Sequence, residues 1–498
     1  MKICLINPPF VLHETLDMPR VFQPMGLAYI AAVLRNNHSV FVLDAVTEGW
    51  ENLKKVDGQN YLGLSIEKIK EKVAEINPDI VGISSQFSIN EKSSIDVAQA
   101  VRDINPNIIT ILGGTHVTVA SESILANTCV DFAIIGEGED TILELIQVLE
   151  DKEHDRLHLV KGIAYRQKDK ILRTPSRDFI DNLDALPFPA RDLFPMEKYF
   201  AAAKAGRGSR QSYTPSSRWI DLLTSRGCPY NCVFCSIHLS MGRKFRFRSP
   251  GNIIKEIEQA IKQYKIRHVN FEDDNISLDR KRFGQICDLI IERKLNITWS
   301  LPNGLRVENI DEEIVKKMKK SGCYRVFVAP ESGVQRVVKE IVKKNLDLKK
   351  IEKAVILFKK YNIIVDGSFV IGFPGETKDD IKNTIKYAGY LKKLGMSYAG
   401  FHIATPLYGT DLYKQAKADG YLKEGFNSAL LSPTEPLIET PDWTAEEIKE
   451  LQKLAGWKVC LNFWQKCFIV IKKILYFPFH PSNLNNLFRK IKKYFFKF

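Results

Sequence analysis

Three of the nine cysteines in this 498-residue chain lie close together, in the order CxxxCxxC. They are Cys228, Cys232 and Cys235. A loop this tight can present three thiolates to one small inorganic group. Three ligands rather than four suit a cubane 4Fe-4S cluster, because one iron then stays open to another ligand.

The spacing of the cysteines is also compatible with two other interpretations. A structural zinc ion normally takes a fourth cysteine or histidine, and His238 lies three residues after Cys235. Chance clustering would leave the three thiols without any shared ligand. Nine cysteines are too few for a disulfide framework in a chain of this length, so we expect free thiols in a reducing compartment.

The cysteines follow the first strand of a region, residues 216–425, in which short apolar strands alternate with amphipathic helices. Strands are predicted over 219–223, 268–271, 298–301, 325–328, 364–371 and 398–403. Helices are predicted over 249–264, 280–293, 312–321, 348–361 and 378–394. Six strands alternating with helices predict a partial (β/α)6 or full parallel barrel.

Residues 1–150 show the same alternation and predict an α/β domain with a doubly wound parallel sheet. Strands are predicted over 2–6, 39–43, 80–84, 108–112 and 132–135, and helices over 25–35, 66–76, 91–104 and 140–150. Ligands of such sheets bind beyond the carboxyl ends of the strands. The residues there are Asn7, Pro8, Ser84, Ser85, Gln86, Gly113, Gly114, Thr115, His116, Gly136, Glu137, Gly138 and Glu139. One such loop could be only a turn, but several on one edge predict a ligand site.

The rest of the chain is predicted to be a linker over residues 151–215 and a basic, amphipathic, helical C-terminal region over 426–498. The last 48 residues carry ten basic and no acidic side chains, and so hold +10 of the net charge of +13. The remaining 450 residues are nearly neutral, which argues against a nucleic-acid-binding surface on the body of the protein. Average hydrophobic and charged content excludes a largely disordered chain.

With these motifs in view, the chain resembles the radical S-adenosylmethionine (SAM) superfamily, and within it the branch with an N-terminal cobalamin-binding domain. The resemblance covers most of residues 1–425. It rests on the cysteine loop, with the aromatic Phe234 before the last cysteine, and on polar segments that end the later strands in order. The branch includes anaerobic Mg-protoporphyrin ester cyclase-like proteins, hopanoid-processing enzymes and radical C-methylases.

The resemblance implies that the three cysteines ligate a 4Fe-4S cluster whose open iron binds the amine and carboxylate of SAM. One electron from the cluster then cleaves a C–S bond of SAM and gives a 5′-deoxyadenosyl radical, so cofactors rather than acid–base side chains carry the chemistry. The SAM-binding residues implied are Phe234, Glu272, Asp273, Arg306, Glu331, Ser332 and Gly372. Taken alone, Arg306 could be a surface ion-pair partner, and Asp274 and Asn275 could cap the following helix.

The resemblance also implies that the polar loops of residues 1–150 contact cobalamin. The chain lacks the Asp-x-His-x-x-Gly segment through which other cobalamin proteins place a histidine below the cobalt. Ligation of cobalt by such a histidine is therefore not expected. His13 and His116 are candidate neighbours of the cofactor, and a solvated loop histidine is the alternative for each.

Three functions are compatible with these features. The first is a cobalamin-dependent methylase that acts on an unactivated carbon of a lipid-like or other apolar substrate. The second is a radical cyclase or oxidoreductase of the anaerobic Mg-protoporphyrin ester cyclase type. The third is a cobalamin-binding sensor without catalysis, which a three-cysteine cluster loop disfavours. An electron donor such as ferredoxin or flavodoxin is expected in either enzymatic case.

The C-terminal tail predicts where the protein sits. Residues 451–498 combine the ten basic side chains with twelve aromatic ones, and their helical wheels separate basic from aromatic faces. Such helices bind anionic membrane surfaces, and packing on the barrel is the alternative. With no spanning segment or signal peptide in the sequence, we expect a cytoplasmic protein that binds the inner membrane face peripherally and has no nucleic-acid partner.

Overall fold

A computed structural model describes residues 1–13, 20–56, 58–208 and 214–460. Within these ranges the strands are β1 Lys2–Asn7, β2 Phe10–His13, β3 Ser39–Asp44, β4 Leu53–Val56, β5 Gln59–Leu62, β6 Ile80–Ser84, β7 Ile109–Gly113, β8 Phe132–Ile134, β9 Ile163–Gln167, β10 Lys170–Arg173, β11 Trp219–Leu222, β12 Ser225–Arg226, β13 Arg246–Phe247, β14 His268–Phe271, β15 Thr298–Leu305, β16 Cys323–Glu331, β17 Ile364–Ile371 and β18 Tyr398–Ile403. The helices are α1 Met25–Leu34, α2 Ala45–Glu48, α3 Ile66–Ile76, α4 Glu91–Ile104, α5 Thr115–Leu125, α6 Glu139–Glu150, α7 Met196–Lys204, α8 Ile237–Met241, α9 Pro250–Tyr264, α10 Arg280–Glu292, α11 Glu312–Lys320, α12 Leu348–Lys360, α13 Lys378–Leu394, α14 Asp411–Ala418 and α15 Ala445–Ala455.

The N-terminal sheet has the strand order β10-β9-β8-β7-β6-β1-β3. Its five strands from β3 to β8 are parallel. Ile3, Cys4, Leu5 and Ile6 of the central strand β1 are all buried, as expected when helices cover both faces of a parallel sheet. The direction of strand addition reverses between β1 and β6, and ligands bind at such a switch point. The predicted doubly wound sheet is confirmed.

Antiparallel pairings extend this domain beyond the prediction. Residues 151–215, predicted to be a linker, contain the hairpin β9–β10, which adds to the sheet beside β8. They also contain α7. A separate three-stranded sheet, β2-β5-β4, lies next to the loop that follows β1. Short antiparallel strands of this kind lack the long apolar runs that reveal buried parallel strands.

The second sheet has six parallel strands in the order β11-β14-β15-β16-β17-β18, with β11 and β18 at its edges. The strands alternate with helices α9 to α13, which confirms the predicted series of strand–helix units. Sequence signals set several helix starts: Ser249 caps α9 with Pro250 in its first turn, and Thr377 with Asp380 forms a capping box on α13.

The described part of the C-terminal region packs on this sheet. Trp443 is 2% exposed, and its indole nitrogen donates to the carbonyl oxygen of Glu376 at 2.8 Å. Gln452 in α15 donates to the carbonyl oxygen of Phe401 at 2.9 Å. Packing on the barrel, the alternative for the tail, is therefore found for its first residues. The remainder, 461–498, lies outside the described residues.

None of the described helices has the length and hydropathy required to cross a lipid bilayer.

Buried polar contacts join the two sheets. Gln23, 7% exposed, donates to the carbonyl oxygen of Trp219 and accepts from the amide of Asp221, both at 3.2 Å. Arg191 of the connecting segment donates to Glu256 at 2.6 Å and to the carbonyl oxygen of Asp221 at 2.8 Å. Strand β11, which leads into the cysteine loop, is thus held by residues from outside the barrel.

Candidate functional site

The cysteine loop leaves β12 through Gly227, whose φ is 83°. A Cβ atom at Gly227 would lie 2.3 Å from the carbonyl oxygen of Lys244, so the turn requires glycine. Further along the loop, the amide of Val233 donates to the carbonyl oxygen of Val342 at 3.1 Å. The loop is therefore fixed both where it begins and between its second and third cysteines.

The three thiols of this loop are half-buried and influence one another. Burial raises the pKa of each thiol, and that of Cys235 reaches about 12 with a further contribution from Cys232 and Cys228. Such thiols release their protons to solvent when a metal binds, because bound iron or zinc stabilises the thiolate. The donor set therefore fits a metal group that three thiolates share.

Among the described residues no three histidine, cysteine, aspartate or glutamate side chains are placed to hold one metal ion. This holds for the three cysteines as well, so a zinc ion with His238 as fourth ligand and a shared cubane cluster are both open alternatives from the geometry of this loop.

Lys344 is a residue near the cysteine loop that sequence reasoning missed. Its ammonium group donates to Glu331 Oε1 at 2.7 Å and to the carbonyl oxygen of Ala329 at 2.6 Å, and the residue is 8% exposed. Its charge opposes the rise in pKa of Cys228 and Cys232. A buried cation here offsets the negative charge of a thiolate-ligated group. No motif marks Lys344, since it lies between β16 and α12.

The predicted SAM residues at the end of β16 lie beside the cysteine loop, but their side chains have protein partners. Glu331, at φ 65°, is bound to Lys344. The hydroxyl of Ser332 lies 2.8 Å from that of Thr384. Ser332 therefore fixes the end of the strand to α13, and any contact it makes with SAM is expected through its backbone.

Asp273 supports the cysteine loop instead of facing a ligand. It is 1% exposed and accepts from the amide and the hydroxyl of Thr224, at 3.2 and 2.7 Å, and from the hydroxyl of Ser225. This corrects its assignment as a SAM contact. The predicted cap of α10 is also wrong for its neighbours, because Asp279 caps that helix.

Glu272 and Asp274 are the acidic side chains of this segment nearer the site. Glu272 is half-buried, and its carbonyl oxygen accepts from the Asn303 amide at 2.8 Å. Asp274 lies close enough to the cysteine loop for its charge to raise the pKa of Cys228 and Cys235, and burial together with Asp273 and Glu272 raises its own pKa to about 7. Asp274 is therefore a better candidate than Asp273 for a cationic group bound there.

Arg306 lies against the cysteine loop. Its guanidinium stands 3.5 Å from the ring centroid of Tyr230, donates to the carbonyl oxygen of Asn345 at 2.9 Å and is paired with Glu308. Cation–π contact and ion pairing orient it. The ion-pair alternative for Arg306 is thus found, and its contact with SAM stays a prediction.

The turn after β17 is built around a buried carboxyl group. Glu376 is fully buried and accepts from the amides of Gly372, at 2.7 Å, and Phe373, at 3.2 Å. Phe373 in turn contacts the ring of Phe234 in the cysteine loop, with centroids 5.8 Å apart. Gly372, at φ 86°, is thus held in place beside the predicted SAM site.

Burial raises the pKa of Glu376 to about 8, which predicts a pH-dependent effect on stability. A carboxyl group with a raised folded-state pKa stabilises the fold fully only below its ordinary pKa of 4.5, and this contribution is lost as pH rises to about 8. Glu376→Gln removes the titration. We expect the stability of the variant relative to wild type to increase between pH 5 and pH 8, by at most about 5 kcal/mol. Melting temperatures of both proteins at each pH measure this, and an equal difference at both pH values would contradict it.

At the N-terminal sheet, the loops after β1, β6 and β7 meet at the switch point. The amide of Ser85 donates to the carbonyl oxygen of Gly113 at 2.7 Å, and the amide of His116 donates to that of Ser85 at 3.2 Å. Gly114, at φ 125°, allows this approach, because a Cβ atom there would lie 2.6 Å from the Ser85 carbonyl oxygen. Gly113 and Gly114 thus allow the loops after β6 and β7 to pack closely at this edge, beyond making a turn.

Buried polar atoms at this edge lack protein partners. The hydroxyl of Ser85 and Nδ1 of His116 are buried without a hydrogen bond from the described residues. His116 Nε2 lies 3.1 Å from Glu91, and this contact contributes most to a pKa of about 2 for that carboxyl group. Such orphaned groups fit a polar ligand seated on the edge, as the amide-rich rim of cobalamin would be.

Other predicted cobalamin residues have different roles. The Asn7 amide donates to Asp44 at 2.8 Å and so supports the end of β3. The carboxylates of Glu137 and Glu139 bind Arg226 of the barrel, so both side chains have protein partners. This corrects their assignment, and the backbone of their loop is left as the contact to a cofactor. Pro8, Ser84, Gln86, Thr115, Gly136 and Gly138 lie in the same strand-end loops. The side chain of His13 lies outside the described residues.

Comparison with known proteins agrees with both halves of the site. Residues 17–146 match the B12 binding domain, and residues 222–388 match the Radical SAM superfamily. An uncharacterized methyltransferase of Pyrococcus horikoshii is 32% identical over all of this chain and 99% of its own length. The cytidylyl-2-hydroxyethylphosphonate methyltransferase of Streptomyces wedmorensis is 32% identical over 90% of this chain and 88% of its own.

A solved structure shows the same fold. The cobalamin-dependent SAM radical enzyme OxsB, with aqua-cobalamin and SAM bound, superposes with a TM-score of 0.71 over 99% of this chain and 70% of that one, at 17% identity. The order of domains and the cysteine loop agree with this likeness. The chain belongs to the radical SAM enzymes that carry a cobalamin-binding domain, and its cofactors are a 4Fe-4S cluster, SAM and cobalamin.

Proposed function

We propose that this enzyme transfers a methyl group to an unactivated carbon of a lipid-like or otherwise apolar substrate. The observation that carries the proposal is that buried ion pairs join Arg226, next to the cysteine loop, to Glu137 and Glu139 at the carboxyl edge of the N-terminal sheet. When bound, the cofactors supply a carbon-centred radical at one site and a methyl carrier at the other. The relatives compared above carry the name methyltransferase.

An aromatic cluster supports an apolar substrate. The rings of Phe10, Phe22 and Phe87 meet edge to face, with centroids 5.9 to 6.1 Å apart. Phe87 directly follows the predicted cobalamin residue Gln86 and is 43% exposed. Exposed aromatic side chains beside a cofactor edge provide a surface that favours apolar ligands.

The residues of the chain have the tasks of binding, orienting and charge compensation. Lys344 and Arg306 bring positive charge to the cysteine loop, and Asp274 is a carboxyl group whose charge also influences its thiols. Asp273 holds the strand that leads into the loop. No acid–base pair is needed, because the cofactors make and break the bonds.

Labelled SAM tests methyl transfer against cyclisation. The enzyme, loaded with its cofactors and reduced anaerobically, is given SAM with a trideuterated methyl group and a lipid extract from cells that lack the gene. We expect a product that carries the deuterated methyl group, with S-adenosylhomocysteine and 5′-deoxyadenosine formed together. Formation of 5′-deoxyadenosine without transfer of label would contradict methylation and favour the cyclase or oxidoreductase.

The remaining sequence predictions are unchanged by the structure. A ferredoxin or flavodoxin as electron donor stays a prediction. Membrane binding by residues 451–498 also stays a prediction; a test by vesicle co-sedimentation should compare the full chain with one that ends at Cys460, because α15 and Trp443 pack on the barrel. Equal binding of both proteins to anionic vesicles would contradict the membrane role of the tail.

A further inference from the structure

Four buried charged side chains connect the cobalamin edge to the cysteine loop. Arg226 donates to Glu137 at 2.9 Å and to Glu139 at 2.5 Å. Arg246 donates to both carboxylate oxygens of Glu137 at 2.8 Å. The amide of Ile180 adds a contact to Glu137 at 2.8 Å. The charges balance, and each of the four residues is less than 9% exposed.

The two arginines are joined to each other and to the barrel. Arg226 pairs with Arg246 in the short antiparallel ladder β12–β13. The Arg246 guanidinium also donates to the carbonyl oxygen of Met241, at 2.8 Å, at the end of α8. Helix α8 begins two residues after Cys235, so this ladder encloses the whole cysteine loop. A shift of Arg226 must therefore move the loop.

Only Gly227 separates Arg226 from the first cysteine. Gly227 packs closely against the backbone of Lys244, since a Cβ atom there would lie 2.3 Å from the Lys244 carbonyl oxygen. On the other side, Glu137 lies in the loop after β8, between Gly136 and Gly138, and Glu139 begins α6. The strand-end loop of the N-terminal domain is thus connected to Cys228 through the ion network and the turn at Gly227.

We infer that Glu137, Glu139, Arg226 and Arg246 are positioning residues that set the distance between the bound cobalamin and the iron–sulfur cluster. A buried and charge-balanced network suits this task, because its charge-assisted hydrogen bonds are directional and solvent does not loosen them. Reactions that use both cofactors depend on the distance between them, since small misplacements of reacting groups reduce rates strongly. This inference rests on the proposed function in one respect: the protein must bind both cofactors.

The distance between the two cofactors is directly measurable. Pulsed electron paramagnetic resonance (EPR) on the full chain, with the cluster reduced and cobalamin in its cobalt(II) form, reports the coupling between the two spins. We expect one narrow distance in wild type. In Glu139→Gln and Arg226→Lys we expect the distribution to broaden beyond about 1 Å, since preorganised sites are held within about 0.5 Å. Asp192→Asn, which breaks the exposed pair with Arg35, is the matched control and should keep the wild-type distribution.

The outcomes separate this inference from the proposed function. Wild-type distributions in folded Glu139→Gln and Arg226→Lys would overturn the inference, whether or not methyl transfer occurs. Absence of cobalamin binding to wild type would overturn the proposed function first. If neither variant folds, hydrogen exchange in wild type decides: we expect cobalamin to slow exchange in residues 225–236 of protein without the cluster, and an unchanged rate would overturn the inference.

Discussion

Cys232→Ala is expected to hold no 4Fe-4S cluster and to cleave no SAM, while it still binds cobalamin. The cluster depends on three thiolates from one loop, and loss of one exposes a second iron to solvent. Loss of an outer hydrogen-bond partner of a metal ligand lowers metal affinity by up to about 100-fold, and loss of the ligand itself should lower cluster affinity by more. The visible absorption and EPR signal of the reconstituted protein, with iron and cobalamin contents, measure this.

Cys129→Ala is the matched control for the cysteine substitution. Cys129 is a buried thiol of the N-terminal domain, 3% exposed and far from the loop in sequence. Its replacement should leave the cluster intact and lower stability by only about 1 kcal/mol. A Cys232→Ala protein with wild-type cluster content would show that the loop does not hold the cluster as described.

Gly114→Ala is expected to have the opposite effect: loss of cobalamin with the cluster retained. The added methyl group would lie 2.6 Å from the Ser85 carbonyl oxygen in a conformation at φ 125° that disfavours any side chain. The loop after β6 must then move away from α5, and the strain costs about 1 to 3 kcal/mol. Cobalamin titration followed by visible absorption should show affinity at least about tenfold lower.

The comparison for this glycine is Gly26→Ala. Gly26 lies in α1 of the same domain, and a Cβ atom there meets nothing within 4 Å. The variant should bind cobalamin as wild type does and be slightly more stable, since alanine favours helix. Unchanged cobalamin affinity in folded Gly114→Ala would place the cofactor away from the glycine-rich edge.

The sequence predicted most buried elements of the fold closely. Strands β14, β17 and β18 and helix α13 have the predicted boundaries, because apolar periodicity and capping residues set their ends. β15 and β16 run further than predicted. Pro302 and Gly304 suggest that β15 ends before them, but a register shift between Leu301 and Leu305 lets the strand continue through both residues.

The sequence predicted the cluster ligands of the site but not the residues that hold them in place. Spacing alone revealed the cysteine loop, since its three members are local in sequence. Asp273, Glu137 and Glu139 have the same appearance in sequence as ligand contacts, being acidic residues after strands. Their partners are distant in the chain: Arg246 lies 109 residues from Glu137. Such tertiary pairs, like that of Lys344 with Glu331, become visible only in the folded molecule.

One chain binds the cluster, SAM and cobalamin at the strand ends of its two α/β domains. Anaerobic reconstitution of the full chain, followed by EPR and visible spectra with iron and cobalt analysis, tests this most directly. We predict one 4Fe-4S cluster whose EPR signal changes when SAM is added, together with one cobalamin per chain. A protein that binds only zinc at the cysteine loop, or a cluster that does not respond to SAM, would contradict the claim.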